Sequence, residues 1–381
     1  MAAFSGQLRS NEIFSALYNM IISQEVFADN LGEHQTLVDK ARVDGSMYGD
    51  TKLYYSTDVL KSAPWGNDAE AINLLKLHRP QPPKCQAIHL DKFRQICLTV
   101  DNYLTKRAWA DEGTFSSFNS AMLGWMRETK RVHDGTLYNV FIGTTKSAKS
   151  AQNREIDLRG ARANASTEEE ANRLEVEALA QGIADLLVEM GDYSRDFNDN
   201  GFLRSYANES IKVIWNHKFV NLVRKVDLPT IFHKEGLVDK FDQDIMPARY
   251  FGNPNAAQVA AASNDGSYRS VIETEYEVAS AAADPRAILN PDDNKYYVHV
   301  FPGDLIPSGV IIAKGEGYTE DADVICKVLV KLPPFMSAFE VGTSFFNAKS
   351  LTENHYLTFG FNTLEYLENY PFITVKSKAA N

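Results

Sequence analysis

The sequence predicts an α+β protein: two long helices early in the chain and a run of strands after residue 205. Three observations carry this. Large apolar residues step by three and four over residues 114–142. A second helical pattern follows a cap at Ser166 or Thr167. Beyond Phe202 apolar and polar residues alternate in short segments such as IKVIWN and YYVHVF.

The first helix is expected over residues 11–28. Ile13, Phe14, Leu17, Tyr18, Ile21 and Ile22 recur at helical spacing behind a Ser10 or Asn11 cap. Phe14, Leu17 and Ile21 are its packing residues. Only Arg9 precedes this patch as a cation and no small-residue cleavage site follows it, so an amphipathic helix fits better than a signal peptide. Residues 43–83 are rich in Gly, Asp, Ser and Pro, with short strand-like pieces such as KLYYS. Residues 84–100 alternate, with Gln86, Ile88 and Leu90 and then Ile96, Leu98 and Val100 reading as two strands joined near Asp91–Lys92. Residues 45–100 thus read as an elongated hairpin with few core positions of its own.

The long helix is capped by Asp111–Thr114. Its stripe is Phe115, Phe118, Met122, Trp125, Thr129, Val132 and Thr136. Gly124 and Gly135 weaken it by up to ~1 kcal/mol each, so packing must hold it. It is expected to end at Gly143. Residues 144–166 carry five cations and almost no apolar content, and read as a solvated loop. In the second helix Ser166 and Glu169 have capping-box spacing, Leu174, Ala178, Ile183, Leu186, Leu187 and Met190 face inward, and Gly191 is the stop. Strands are then expected at 211–216, 268–279, 296–301, 324–332 and 355–376, with a helix in HKFVNLVRKV.

Chemistry is sparse. GxxxxGK[ST], GxGxxG, HExxH and GxSxG are absent from the sequence, and no histidine pairs with His or Cys at ligand spacing. No catalytic or cofactor-binding residue is assigned, and no cofactor is expected. The nearest approach to a metal site is DFNDNG, where Asp196, Asn198 and Asn200 match the first calcium-loop positions. The position of the bidentate Glu is Ala207, so a structural turn is the preferred reading. The acidic stretch 316–323 reads as a solvated loop. The net charge of −11 argues against a dedicated nucleic-acid binder, and three cysteines without CxxC argue against a disulfide framework. No apolar run is long enough to span a membrane.

The order of these elements, with VDNYLTKRAWADEG…FNSAMLGWMRETKRVHDGTLYNVFIGT and IKVIWNHKFVNLVRKVDLPTIFHKEGL, resembles the Hong Kong 97-type capsid fold of tailed-bacteriophage major capsid proteins. The resemblance implies an N-terminal arm (1–44), an extended loop lying over a neighbouring subunit (45–100), and a peripheral domain (101–204) with spine helix 114–142 and second helix 166–190. It further implies an axial domain (205–345) and a return to the peripheral domain (346–381). Phe115, Phe118, Met122, Trp125 and Val132 would then pack the spine, and Lys52, Tyr54, Lys61 and Trp65 would supply loop contacts. The implied function is structural, not enzymatic. Copies would assemble as pentamers and hexamers into an icosahedral head, built in the bacterial cytoplasm, that encloses double-stranded DNA without reading its sequence. A separate scaffolding protein and a portal are the implied partners, with no membrane. An encapsulin-like shell holding cargo enzymes is the alternative within the fold; a soluble enzyme whose site assembles only in space is the alternative outside it.

Overall fold

The computed structural model describes residues 36–44, 50–62, 77, 79–101, 112–145, 152–220, 242–255, 267–271, 273–291, 293–307, 310–314 and 317–378. The expected helix at 11–28, with Phe14, Leu17 and Ile21, lies outside the described residues, as does Trp65. Of the helix expected from His217 onward, residues 217–220 are described, and they are helical.

The described residues open with a short helix α1 (Leu37–Ala41), whose Asp39 carboxylate accepts from the Thr36 N–H at 3.1 Å, and strands β1 (Arg42–Asp44), β2 (Thr51–Ser56) and β3 (Lys84–Asp101). The long helix α2 (Glu112–Gly143) follows, about 48 Å at the usual rise per residue. Next come β4 (Asn153–Ile156), α3 (Leu158–Ala163) and the second long helix α4 (Glu168–Gly191). The strands that follow among the described residues are β5 (Lys212–Asn216), β6 (Asp242–Met246), β7 (Gly252–Asn255), β8 (Ser267–Arg269), β9 (Thr274–Val278), β10 (Ile288–Asn290), β11 (Lys295–Val300), β12 (Leu305–Pro307), β13 (Ile311–Lys314), β14 (Gly317–Glu320), β15 (Val324–Leu329), β16 (Phe335–Asn347), β17 (Thr352–Asn362) and β18 (Phe372–Ser377).

Two five-stranded sheets organise the molecule, in the orders β1-β16-β17-β3-β2 and β4-β18-β15-β5-β6. A four-stranded sheet, β10-β11-β9-β13, and two strand pairs, β12-β8 and β14-β7, form the rest. The second large sheet is covered on both faces, and β15 shows the consequence: all six of its residues are buried. On one face Ile325, Val328, Ile373, Val375 and Val213 meet Leu179, Ile183, Leu186 and Met190 of α4. On the other, Val324, Leu329, Ile214 and Phe372 belong to the core that contains Tyr138, Val140 and Ile142 of α2. Phe335, Phe359 and Phe361 bring the first sheet into that same core. One helix end therefore ties both sheets together, and the Tyr138 hydroxyl finds its partner in the Pro333 carbonyl at 2.8 Å. Gly143 is required where α2 ends, because a Cβ there would lie 1.8 Å from the Tyr250 carbonyl oxygen.

Several sequence expectations are corrected. Residues 84–101 form one strand, not two. Asp91 sits at a bulge opposite Phe361 and Asn362, and its carboxylate accepts from the Thr363 N–H (2.8 Å) and hydroxyl, so the strand bends without breaking. Its first part pairs with β2 and the rest with β17, so among the described residues the paired part of the expected hairpin is 51–56 against 84–89. Residues 144–166 are not all a solvated loop. β4 pairs in parallel with β18, and Ile156 and Leu158 are buried, two apolar residues having sufficed to anchor a polar stretch. The cap of α4 is Thr167, whose hydroxyl accepts from the Glu170 N–H at 3.2 Å, rather than the Ser166–Glu169 pair. The segment 268–279 is two strands, β8 and β9, in different sheets. The expected return strand 355–376 is likewise two, because residues 363–371 cross from one large sheet to the other. The second large sheet draws β4 and β18 from the expected peripheral segments and β5, β6 and β15 from the expected axial one.

Candidate assembly surfaces

Three surfaces are built by this architecture. The first is the root of the extended loop. Asp58 accepts from Arg195 Nη1 (2.7 Å) and from the Leu203 N–H (3.0 Å), Arg204 donates to the Thr57 carbonyl (2.6 Å), and Asn200 donates to the Ser56 hydroxyl (3.2 Å). The Arg195 hydrogen bond, with that from Leu203, holds the Asp58 carboxyl down to about 2. The partners come from the 194–204 turn, which includes the candidate calcium residues. Those residues do not converge on a common point. Asn198 is fully buried, its Oδ1 accepting from the Phe202 N–H (2.8 Å) and its Nδ2 donating to the Phe202 carbonyl (2.7 Å). Asp196 accepts from Ser194, and Asn200 is spent on the loop. Gly201 closes the turn at φ +66°. Among the described residues no cluster of His, Cys, Asp and Glu has the geometry to hold a metal ion. The turn clasps the loop root.

Loop residues above the clasp face solvent. Tyr54 packs against Ile88, Leu90, Met336 and Leu367, but Leu53, Tyr55, Leu60 and Leu77 are exposed, as is Lys61, while Lys52 is half-buried. Burial pushes the Tyr54 phenol up.

The second surface is a groove of about 570 Å³ between α2, β3 and the loop after β11. It is lined by Trp125, Val132 and Leu137 from the helix, Ile96 from β3, and Phe301. This corrects the expected core packing at two positions of the stripe. Trp125 is 47% and Val132 39% exposed within the subunit, so neither enters the core. The row that does is Met126, Lys130, Asp134, Tyr138 and Ile142, spaced by four. Two of those five are charged, and that is why apolar periodicity pointed to the wrong face. The backbone at Phe115, Phe118 and Met122 is helical, and their side chains lie outside the described residues. Arg94 of β3 reaches Glu273 across the mouth at 2.6 Å, and His299 stands 3.0 Å from the same carboxylate.

The third surface is the ribbon made by β16, β17 and the distal half of β3. Residues 341–346 of β16 are all exposed, on both faces of the sheet, and Phe345 (63%) and Phe346 (52%) flank its tip. Sequence reasoning missed it. The signal was the alternation on both sides of the NAKSL turn, in EVGTSFFN and in TENHYLTF.

Charges elsewhere are mostly consumed internally. Arg154, Arg159 and Arg162 pair with Glu189, Asp323 and Glu175, while Lys146 and Lys149 lie outside the described residues. The acidic stretch 316–323 is not a free loop: Gly317–Glu320 is β14, Glu320 binds Lys218 (2.8 Å) and Asp321 binds Lys376 (2.6 Å). Lys327 of β15 is fully buried, donates to the Thr374 hydroxyl (2.6 Å) and lies 4.0 Å from the centre of the Phe372 ring. Burial, with Lys376 nearby, pushes its ammonium down to about 7. Cys85 and Cys97 are exposed and Cys326 is buried, all as free thiols. Among the described residues no helix is long and apolar enough to cross a membrane.

With this geometry in place, comparison with known proteins is informative at the level of fold. No protein-family model matches the chain, and no curated protein matches it in sequence. Solved structures do. A chain in the capsid structure of Staphylococcus phage Andhra superimposes with a TM-score of 0.56 at 10% identity, covering 90% of this chain and 84% of its own. A chain in the structure of the head fiber and inner core protein gp22 of native bacteriophage P68 gives 0.54 at 10% identity, covering 99% and 95%. The α+β architecture is thus that of the Hong Kong 97-type capsid fold, as the sequence resemblance implied.

Proposed function

We propose that this chain is the major capsid protein of a tailed double-stranded DNA bacteriophage, assembling with copies of itself as pentamers and hexamers into the icosahedral head that encloses the genome. The observation that carries the reading is the fold shared over 90% of the chain with a chain of the phage Andhra capsid structure. The distribution of exposed apolar side chains supports it. Many of them lie on the three surfaces described: Leu53, Tyr55 and Leu60 on the loop, Trp125 and Val132 beside the groove, Phe345 and Phe346 on the ribbon. Such patches on one chain fit many repeated contacts between subunits better than a substrate pocket.

In this reading residues 1–44 are the arm, 45–100 the extended loop whose root is clasped at Asp58, α2 the spine, and 205–345 the region nearest the capsomer axes. DNA is enclosed without sequence-specific contacts, in keeping with the net charge of −11. A separate scaffolding protein and a portal complete the head, which is built in the bacterial cytoplasm and persists in the virion. The chain does no catalysis.

Size-exclusion chromatography with negative-stain electron microscopy on the purified full chain, alone and with candidate scaffolding proteins, tests this. Closed shells, tubes, or rings of five and six are expected. A monomer under every condition overturns it.

A further inference from the structure

The open edge of β16 points to a specific contact. Beyond Ser337 the described residues place no strand on the outer side of β16. β1 covers only Phe335–Ser337, whereas β17 lines the inner side as far as Asn347. An edge of this length, exposed on both faces and bearing Val341, Phe345 and Phe346, is a template for strand addition, and soluble proteins ordinarily blunt such edges with lysine, proline or a bulge. From Val341 to Asn347 it has none of the three.

We propose that this edge pairs antiparallel with the same edge of a second copy, about a two-fold axis through Thr343. The inference deepens the shell reading by naming one contact between copies. Two observations select the second copy as occupant. First, residues 341–347 carry no charge, so self-pairing sets no like charges opposite one another. The outer edge of β3, the other open edge of the ribbon, carries Asp91, Lys92 and Arg94. Second, the symmetry restricts the register, and one register it permits pairs well. A two-fold perpendicular to a sheet keeps each side chain on its face, so opposed residues must differ by an even number. With Thr343 on the axis, Thr343 faces Thr343 of the second copy and Val341 faces its Phe345, twice. Thr–Thr and β-branched–aromatic pairs are both favourable across strands. On the other face Gly342, with nothing within 4 Å of the place its Cβ would occupy, comes opposite Ser344 of the second copy, a pair of small residues that offers no clash.

The test is symmetric disulfide trapping in a background with the two exposed cysteines replaced (C85S, C97S). Directly opposed Cα atoms lie about 4.5–5.5 Å apart, within disulfide reach. T343C should therefore run as a dimer on non-reducing gels. V341C alone should not, since its own copy lies about 13 Å away by the strand rise, while V341C/F345C should cross-link. A photo-crosslinking residue at 345 should capture residues 339–343 of another copy. Capture of residues 1–49, 50–62 or 91–101, or of a different protein, would overturn the assignment. So would shells in which T343C stays monomeric, or a chain that forms neither shells nor the dimer. T343C dimers without shells would keep this contact and sink the shell reading instead.

Discussion

Lys327→Met should make the subunit more stable at neutral pH and less stable relative to wild type at high pH. The native ammonium is pushed from its ordinary 10.5 down to about 7 by burial, so between those values the unfolded chain binds a proton that the folded chain refuses. The folded value is the lower one and the group is a cation. Stability is therefore lost as pH falls from about 10.5 toward 7 and changes no further below. At 1.36 kcal/mol per pH unit the full cost is about 5 kcal/mol. The Phe372 ring, 4.0 Å beneath the nitrogen, returns about 2 kcal/mol to the charged form. Methionine fills a similar volume but leaves the buried Thr374 hydroxyl without its partner, a cost of about 1 kcal/mol. The net expectation is a gain of about 2 kcal/mol at pH 7 that disappears by pH 10. Urea denaturation of the unassembled subunit at pH 7, 8.5 and 10 reads it directly. Parallel stability–pH curves for the two proteins would refute the reasoning, since they would mean Lys327 keeps an ordinary affinity for its proton inside the core.

Gly143→Ala places a methyl 1.8 Å from the Tyr250 carbonyl, so the end of α2 must shift, lowering stability by about 3 kcal/mol as read by thermal unfolding. Asn198→Ala removes both side-chain bonds to Phe202 inside the clasp and should cost about 2–3 kcal/mol, whereas a chelator should leave the wild-type melting temperature unchanged. Trp125→Asp should leave the isolated subunit folded, within about 1 kcal/mol of wild type, because the side chain is half-exposed there. It should nonetheless abolish assembly, and normal shells from this variant would show that the groove stays open to solvent.

Features whose cause is local were legible from the residues alone. Helical spacing and caps located α2 and α4 to within about two residues, period-two alternation located β5, β11 and β15, and the Asx-rich turn with its glycine was legible at 196–201. The sequence also supplied the composition and the order of elements on which the resemblance to a capsid fold rests. What it did not contain is the choice of partners across large sequence separations. β3 is one strand because β17, about 250 residues later, pairs through the bulge at Asp91. Polar residues 153–156 are a strand because β18 offers them an edge. The buried face of α2 includes Lys130 and Asp134, which no apolar pattern would place inside, because Asp134 lies 3.5 Å from Lys130 and 3.6 Å from Arg42 of β1. Trp125, with an apolar face suited to a core, stands at a groove instead, since both sheets had already claimed the opposite side of the helix. Periodicity reports which residues can share a surface; the tertiary structure decides which surfaces meet within one subunit and which are left for the next.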